Sequence, residues 1–155
     1  MEQKFVFLRK EDPLAWALMP YAVARIKKFC TTFGTDTDPD QLADLVQKHF
    51  VSDDPLMVVV VGVKKGVGVF AHALACIDEI TGNRFLTIMH MESDLPYEDR
   101  EAVKAVFLEL KIWGLKHGAA EAQIVTSDED HVRMFKLFYG FKYHRTLMRL
   151  SLMEN

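Results

Sequence analysis

Residues 85–141 read FLTIMHMESDLPYEDREAVKAVFLELKIWGLKHGAAEAQIVTSDEDHVRMFKLFYGF, and their pattern decides the fold class. A strand is predicted from Arg84 to Met91, a long amphipathic helix from about Pro96 to His117, and a second strand from Glu121 to Thr126. Strand, crossover helix and strand form the unit that parallel pairing requires. A short helix then ends at Gly140-Phe141. We therefore expect a mixed α/β domain with two adjacent parallel strands.

The long helix carries apolar residues at intervals of three and four, which places them on one face that must lie on the sheet. These residues are Val103, Val106, Phe107, Leu110 and Trp113. Gly114, in the last turns, predicts a close approach of the helix to the strands. Gly118 follows a cationic last turn and is typical of a helix C-cap.

The first half of the chain predicts an antiparallel meander with two covering helices. Asp12-Pro13 and Asp38-Pro39 each place an N-cap aspartate before a proline in the first helical position. Because a proline ring clashes with the carbonyl four residues back, Pro20 predicts a kink in the first helix, or two short helices that meet at Met19. Strands are predicted at Lys4 to Arg9, Leu56 to Val63 and Val67 to Ile77, with a final strand from Phe141 to Leu152.

Composition narrows the class of protein. A chain of 155 residues that is 50% hydrophobic and 26% charged predicts a single domain, 1–155, with a sizeable core. The net charge of −3 and the scattered lysines and arginines argue against nucleic-acid binding. The longest apolar run, Leu56 to Val63, is less than half of the roughly 20 residues that span a bilayer, so no membrane segment is expected.

The two cysteines, Cys30 and Cys76, lie in apolar surroundings and indicate reduced core residues, which favours an intracellular, cytoplasmic location. The N-terminus lacks the pattern of a signal peptide. Three histidines, His117, His131 and His144, show no metal-ligand spacing, and no metal site is expected.

The order of the predicted elements resembles that of the GNAT acyltransferase superfamily. The segment VRMFKLFYGFK at residues 132–142 looks like the short helix of the family with its Gly-Phe end, and WGLKHGA at residues 113–119 looks like the end of its long helix. The resemblance extends over Leu56 to Leu152 and covers the first third of the chain by element order. It implies a GNAT-like fold over the whole chain.

The resemblance also implies an activity, the transfer of an acetyl group from acetyl-CoA to an amine on a small molecule or a protein. It implies that the donor lies along the backbone of Met89 and Met91, and that an anion meets the amides at the start of the long helix. Those helix residues are Arg100, Glu101, Ala102, Val103 and Lys104.

The implied catalytic residues are a base that receives the proton of the amine and an acid that protonates the leaving thiolate. His90 is the first candidate for the base, with Glu92 next. The tyrosine of the family falls on Lys136, and Tyr139 lies one helical turn away, so both are candidates for the acid. A structural, hydrogen-bonded histidine is the alternative for His90. His72 and Asp78, on the preceding strand, carry the same ambiguity.

This sequence departs from the family pattern in the donor loop, which normally has Arg or Gln, two residues, Gly, one residue, then Gly or Ala. Glu101 and Val103 occupy the two glycine positions, and Glu98 and Asp99 add further carboxylates. A second interpretation therefore stands beside the enzyme: a non-catalytic GNAT-fold protein with a degenerate active site, which serves as a binding or structural component. Whether the chain forms a homo-oligomer stays open.

Overall fold

The computed structural model of the protein describes residues 3–32, 38–52, 55–93, 100–124, 129–142 and 150–153, and at residues 29–32, 51–52, 100–103, 131 and 138 it describes the backbone alone. Within these ranges the strands and helices are, in chain order, β1 (Gln3–Phe7), α1 (Pro13–Thr32), α2 (Pro39–Ser52), β2 (Met57–Lys64), β3 (Gly68–Ile80), β4 (Asn83–Ser93), α3 (Arg100–Lys116), β5 (Glu121–Ile124) and α4 (Glu129–Tyr139).

Some predicted features lie outside the described residues. They are Glu98, Asp99, Thr126, His144, the side chains of Cys30 and His131, and residues 143–149 of the predicted final strand. The two ends of that predicted strand, residues 141–142 and 150–152, are described and are not in a strand.

The strands form one mixed sheet in the order β1-β2-β3-β4-β5. Neighbouring strands are antiparallel from β1 to β4, whereas β4 and β5 are parallel, with Phe85 opposite Glu121 and Ile88 opposite Ile124. The helix α3 connects the parallel pair, as that pairing requires. The predicted fold class, an antiparallel meander followed by a parallel pair with a crossover helix, is therefore confirmed.

Each face of the sheet has its own apolar core. Val59, Val61 and Leu74 point to the face covered by α1 and α2, here called the α1–α2 face. Their neighbours in the strands point to the opposite face, here called the α3 face, which α3 and α4 cover. Because side chains alternate along a strand, this division assigns the strand residues on either side of each β-bulge to one face or the other. The prediction that one face of the long helix lies on the sheet is confirmed for four residues, which are buried in the core of the α3 face: Val106, Phe107, Leu110 and Trp113.

The helix α1 runs without interruption through Pro20, so the prediction of two short helices is wrong. Pro20 lies on the exposed side of the helix, where water can satisfy the carbonyl that loses its partner. Leu18 and Ala22, on either side of it, are buried in the same core and hold both halves against the sheet. The predicted cap is present, because the backbone N–H of Leu14 donates to Asp12 Oδ1 at 2.9 Å.

Two glycines do what the sequence predicts. A Cβ on Gly114 would lie 3.2 Å from Leu86 Cβ, so the helix α3 approaches β4 closely at this point. Gly140 has a φ of +73° and ends α4, while the N–H of Phe141 reaches back to the carbonyl of Phe135 at 3.1 Å. This bond spans seven residues, one more than the 6→1 bond of a Schellman motif, and it closes the end of α4 around Gly140. In the described part of the chain, no helix is both long and apolar enough to cross a bilayer.

Candidate active site

A β-bulge in β4 sets the faces of the candidate base residues. Leu74 of β3 pairs with His90, but the next residue, Ala75, pairs with Ile88, so Met89 is an extra residue in β4. A bulge of this kind shifts the alternation of side chains by one position. Ile88 and Met91 consequently both join the core of the α3 face, whereas His90 and Glu92 turn to the α1–α2 face.

The same bulge lies where the described pairing of the two parallel strands stops. The last pair is Ile88 with Ile124, at which β5 ends, and β4 continues for five more residues to Ser93. Carboxyl ends of adjacent parallel strands are where open α/β sheets bind their ligands. The residues Met89 to Ser93 therefore occupy the end of the sheet that favours a binding site.

His90 is buried and stacks on His72. Their ring centroids lie 4.9 Å apart with 22° between the planes, and their side chains are 7% and 0% exposed. Arg25 of α1 donates from Nε to His72 Nδ1 at 3.1 Å. An arginine has no acceptor, so His72 must accept at Nδ1 and carry its single proton on Nε2. Sequence reasoning named both histidines but did not foresee that Arg25 holds one of them.

Burial holds the pKa of His72 well below its ordinary value of 6.5, and the nearby His90 and Arg25 lower it further. All three causes disfavour a positive charge on the ring. The lowered pKa of His72 agrees with the hydrogen bond from Arg25, which a doubly protonated ring could not accept. His72 is therefore a neutral ring at pH 7.

Tyr139 lies at the end of α4 against the aromatic side chains of the α3 face. Its ring centroid is 4.9 Å from that of Phe107 and 5.3 Å from that of Phe135. Burial raises the pKa of Tyr139 to about 12, and the negative charge of Glu92 contributes to the rise. The phenol is therefore protonated throughout the neutral range, and it lies within electrostatic range of Glu92.

The second candidate acid, Lys136, is exposed, one turn before Tyr139 on α4. Tyr139 packs partly buried against the core, so the two candidates differ in their surroundings. Of the four candidate catalytic side chains, the structure thus brings Tyr139 into range of Glu92, puts His90 beside His72, and leaves Lys136 in solvent.

The candidate donor residues fall into two groups. Met89 is 39% exposed at the bulge, whereas Met91 is 8% exposed and part of the core, so only its backbone could face a ligand. The residues Arg100 to Val103 form the first turn of α3, whose amides have no partner within the helix. Lys104 is exposed in the next turn. A helix start of this kind suits an anionic group.

A polar network that the sequence did not predict crosses β3, β4 and β5 on the α1–α2 face. Thr87 Oγ1 donates to Asp78 Oδ2 at 2.6 Å, and Gln123 Nε2 donates to Thr87 Oγ1 at 2.8 Å. The sequence singled out Asp78 but not its two partners. The available signal was a polar residue at the centre of each of two otherwise apolar strand segments.

The reduced thiol of Cys76 lies 3.9 Å from Asp78 Oδ1. Cys76 is half-buried, whereas the sequence predicted a buried core residue. It points to the α1–α2 face at a part of the sheet where the side chains stay partly exposed. Among the residues that the structure describes, no group of three or more histidine, cysteine, aspartate or glutamate residues could hold a metal ion.

No protein-family model and no curated protein sequence matches the chain. Solved structures do match its fold. A predicted acetyltransferase from Clostridium acetobutylicum with acetyl-CoA has a TM-score of 0.74 and 13% identity over 99% of this chain and 99% of that chain.

Two further solved structures match the fold of the chain. The aminoglycoside N-acetyltransferase AAC(6')-Iy in complex with CoA has a TM-score of 0.74 and 13% identity over 98% of this chain and 95% of that chain. An acetyltransferase from Trypanosoma brucei has a TM-score of 0.64 and 17% identity over 97% of this chain and 100% of that chain. The chain therefore has the fold of the GNAT acyltransferases.

Proposed function

We propose that the protein is an acyl-CoA-dependent N-acyltransferase that transfers an acetyl group to an amine. The observation that carries the proposal is that Tyr139 lies within electrostatic range of Glu92, near the carboxyl end of the parallel strand pair, where burial and the charge of Glu92 raise the pKa of Tyr139 to about 12. A protonated phenol and a carboxylate at one end of the sheet are the acid and the base that such a transfer needs. The acceptor is a small molecule or a protein that presents an amine.

The residues at this end of the sheet fit the donor. The backbone of Met89 and Met91, beyond the last described pair of β4 and β5, would lie along the pantetheine arm. The amides of Arg100 to Val103 and the exposed Lys104 would meet the diphosphate. Acetyl-CoA, when bound, supplies the acetyl group as an activated thioester. Glu101 and Val103 depart from the family pattern here, so the donor site is a divergent one.

Tyr139 is the proposed general acid. Since its phenol keeps its proton far above neutral pH, it is always available as a hydrogen-bond donor to a departing thiolate. Its ring is fixed between Phe107 and Phe135, which restricts the direction in which the hydroxyl can point. Lys136, exposed on the same helix, is the weaker candidate for this role.

Glu92 is the proposed base, with His90 as the second candidate. Glu92 is half-buried and near Tyr139, whereas His90 is buried under the stacked ring of His72. A base must be able to reach the proton that it removes, and the more accessible group satisfies this more readily. His72, held by Arg25, would then orient the ring of His90.

Calorimetry and a thiol-release assay test the proposal. We expect saturable binding of acetyl-CoA and turnover with primary amines, and we expect Tyr139→Phe to lower kcat by about 10²- to 10⁴-fold with an unchanged Kd for acetyl-CoA. The matched control is Tyr21→Phe, because Tyr21 is 63% exposed on α1. Absence of any heat or thermal shift with millimolar acetyl-CoA would contradict the proposal and would favour a non-catalytic binding or structural role.

A further inference from the structure

We propose that Asp78, Thr87 and Gln123 form a subsite that binds the ammonium group of a cationic acceptor. The inference rests on the proposed function, because it assigns a substrate class, the primary alkylammonium, to the acceptor of that reaction. It concerns side chains of three adjacent strands on the α1–α2 face.

The hydrogen bonds in this network have a fixed direction. The carboxylate of Asp78 can only accept, so Thr87 donates its one hydroxyl proton to Oδ2 at 2.6 Å. Thr87 Oγ1 must then accept from Gln123, and within that amide the nitrogen is the donor, at 2.8 Å. This order turns Gln123 Oε1 away from Thr87.

The network therefore presents acceptors and a negative charge. Each carboxylate oxygen of Asp78 has about two acceptor positions, and the described bonds use one strong donor, Thr87, and one weak donor, Cys76 at 3.9 Å. Among the described residues, no lysine, arginine or histidine forms an ion pair with Asp78. A half-buried carboxylate without a protein cation, beside a free amide oxygen, favours a ligand that carries several N–H donors and a positive charge.

The surroundings suit an apolar stem on that ligand. Phe85 lies directly opposite Asp78 in the antiparallel register and is half-buried on the same face. Directly opposite side chains have Cβ atoms about 5 Å apart, so the ring lies beside the carboxylate. An aromatic ring next to a carboxylate attracts an ammonium through both its π-face and the charge.

The subsite lies near the proposed donor site, as an acceptor subsite must. Thr87 pairs with Gln123, one residue before the pair of Ile88 and Ile124 that is the last described between β4 and β5. The bulge at Met89 follows two residues after Thr87, which is about 7 Å along a strand. The subsite faces away from α3, whose first turn is proposed to meet the diphosphate, so acceptor and donor would reach the sheet from different faces.

The test is a titration of ¹⁵N-labelled protein with benzylammonium chloride, followed by the backbone amide signals of residues 76–88 and 121–124. Saturable shifts at Asp78, Thr87 and Gln123 are expected, with about tenfold weaker binding in Asp78→Asn and no saturation with neutral benzyl alcohol. The matched control, Glu79→Gln, removes a carboxylate from the next, exposed position on the other face and should bind as the unaltered protein does. Equal affinity for the alcohol, or equal affinity in Asp78→Asn, would overturn the inference.

A second variant protects the test against a loss of folding. Gln123→Met removes the amide oxygen but leaves the bond from Thr87 to Asp78, and we expect several-fold weaker binding of benzylammonium with an unchanged thermal midpoint. Full-strength binding in this correctly folded variant would count against the subsite. Binding of acetyl-CoA separates the two proposals. Its absence overturns the proposed reaction and with it the acceptor role of the subsite, while absence of benzylammonium binding in a protein that binds acetyl-CoA overturns the subsite alone.

Discussion

His72 and His90 stack face to face on neighbouring strands although they are not opposite each other in the register. His72 pairs with Glu92, and His90 pairs with Leu74. The rings meet, with centroids 4.9 Å apart, because the bulge at Met89 turns His90 to the face that His72 occupies. With His90 this close and Arg25 donating to its ring, His72 is in an arrangement in which a second proton on its ring is unfavourable.

The lowered pKa of His72 predicts a dependence of stability on pH. The folded protein keeps His72 neutral, whereas the unfolded chain binds a proton at this residue near pH 6.5. Because the unfolded state binds more protons below that pH, the free energy of unfolding should fall as the pH drops below about 6.5, by up to about 1.4 kcal/mol per pH unit from this residue.

Urea unfolding between pH 5 and pH 8 measures this dependence. We expect His72→Gln, whose amide oxygen can still accept from Arg25, to show a shallower slope below pH 6.5 than the unaltered protein. The control is His117→Gln, since His117 lies in the last turn beside Trp113 and away from this pair. Identical slopes in His72→Gln and the unaltered protein would contradict the interpretation.

The phenol of Tyr139 should titrate late in alkali. Absorbance at 295 nm should show one tyrosine that ionises at a pKa of about 12, and Tyr139→Phe should remove that step. In Glu92→Gln the midpoint should move down, because the carboxylate contributes to the rise. It should stay above the ordinary value of about 10, because burial is the larger cause. An unchanged midpoint in Glu92→Gln would show that the two groups do not interact.

A second extra residue at the bulge should disrupt the site and the fold together. Insertion of one alanine after Met89 would shift the alternation by one position, which turns His90 to the apolar α3 face and Met91 out of its core. A polar ring in an apolar core is costly, and we expect a loss of about 2 kcal/mol or more in the free energy of unfolding. Met89→Ala is the matched control, because it keeps the residue count and alters a side chain that is 39% exposed. Similar unfolding free energies for the two variants would refute this role of the bulge.

The sequence predicted those features that depend on local rules. Asp12 caps α1, and Gly140 ends α4 at a positive φ. The interval between β4 and β5 is long enough for the crossover helix that parallel pairing requires. Each of these follows from residue types within a few positions of one another. The apolar stripe of α3 likewise follows from its own spacing.

The features that escaped prediction depend on the pairing of distant segments. The bulge at Met89 appears only when the register of β3 against β4 is known, because residues 85–93 read alone give no sign of the extra position. The network of Asp78, Thr87 and Gln123 joins three strands and has no spacing signal in the sequence. The continuity of α1 through Pro20 also escaped prediction, because the exposed position that makes a proline tolerable within the helix is set by tertiary packing.

The close approach of α3 to β4 at Gly114 gives a prediction on packing. A Cβ at this position would lie 3.2 Å from Leu86 Cβ and 3.3 Å from its Cδ2, and Leu86 is 2% exposed, so it has little room to move. Gly114→Val should therefore lower the free energy of unfolding by about 1 to 3 kcal/mol through overpacking, even though glycine is itself a poor helix former.

Two comparisons isolate the cause of that loss. Leu108→Val places the same β-branched residue on the exposed side of α3, where Leu108 is 53% exposed, and should cost about 0.5 kcal/mol or less. In a Leu86→Ala background the opposing side chain is shortened, so Gly114→Val should cost less than it does alone, and the difference measures the contact between the two positions. An equal cost in both backgrounds would mean that the helix, rather than its approach to β4, is what the substitution disturbs.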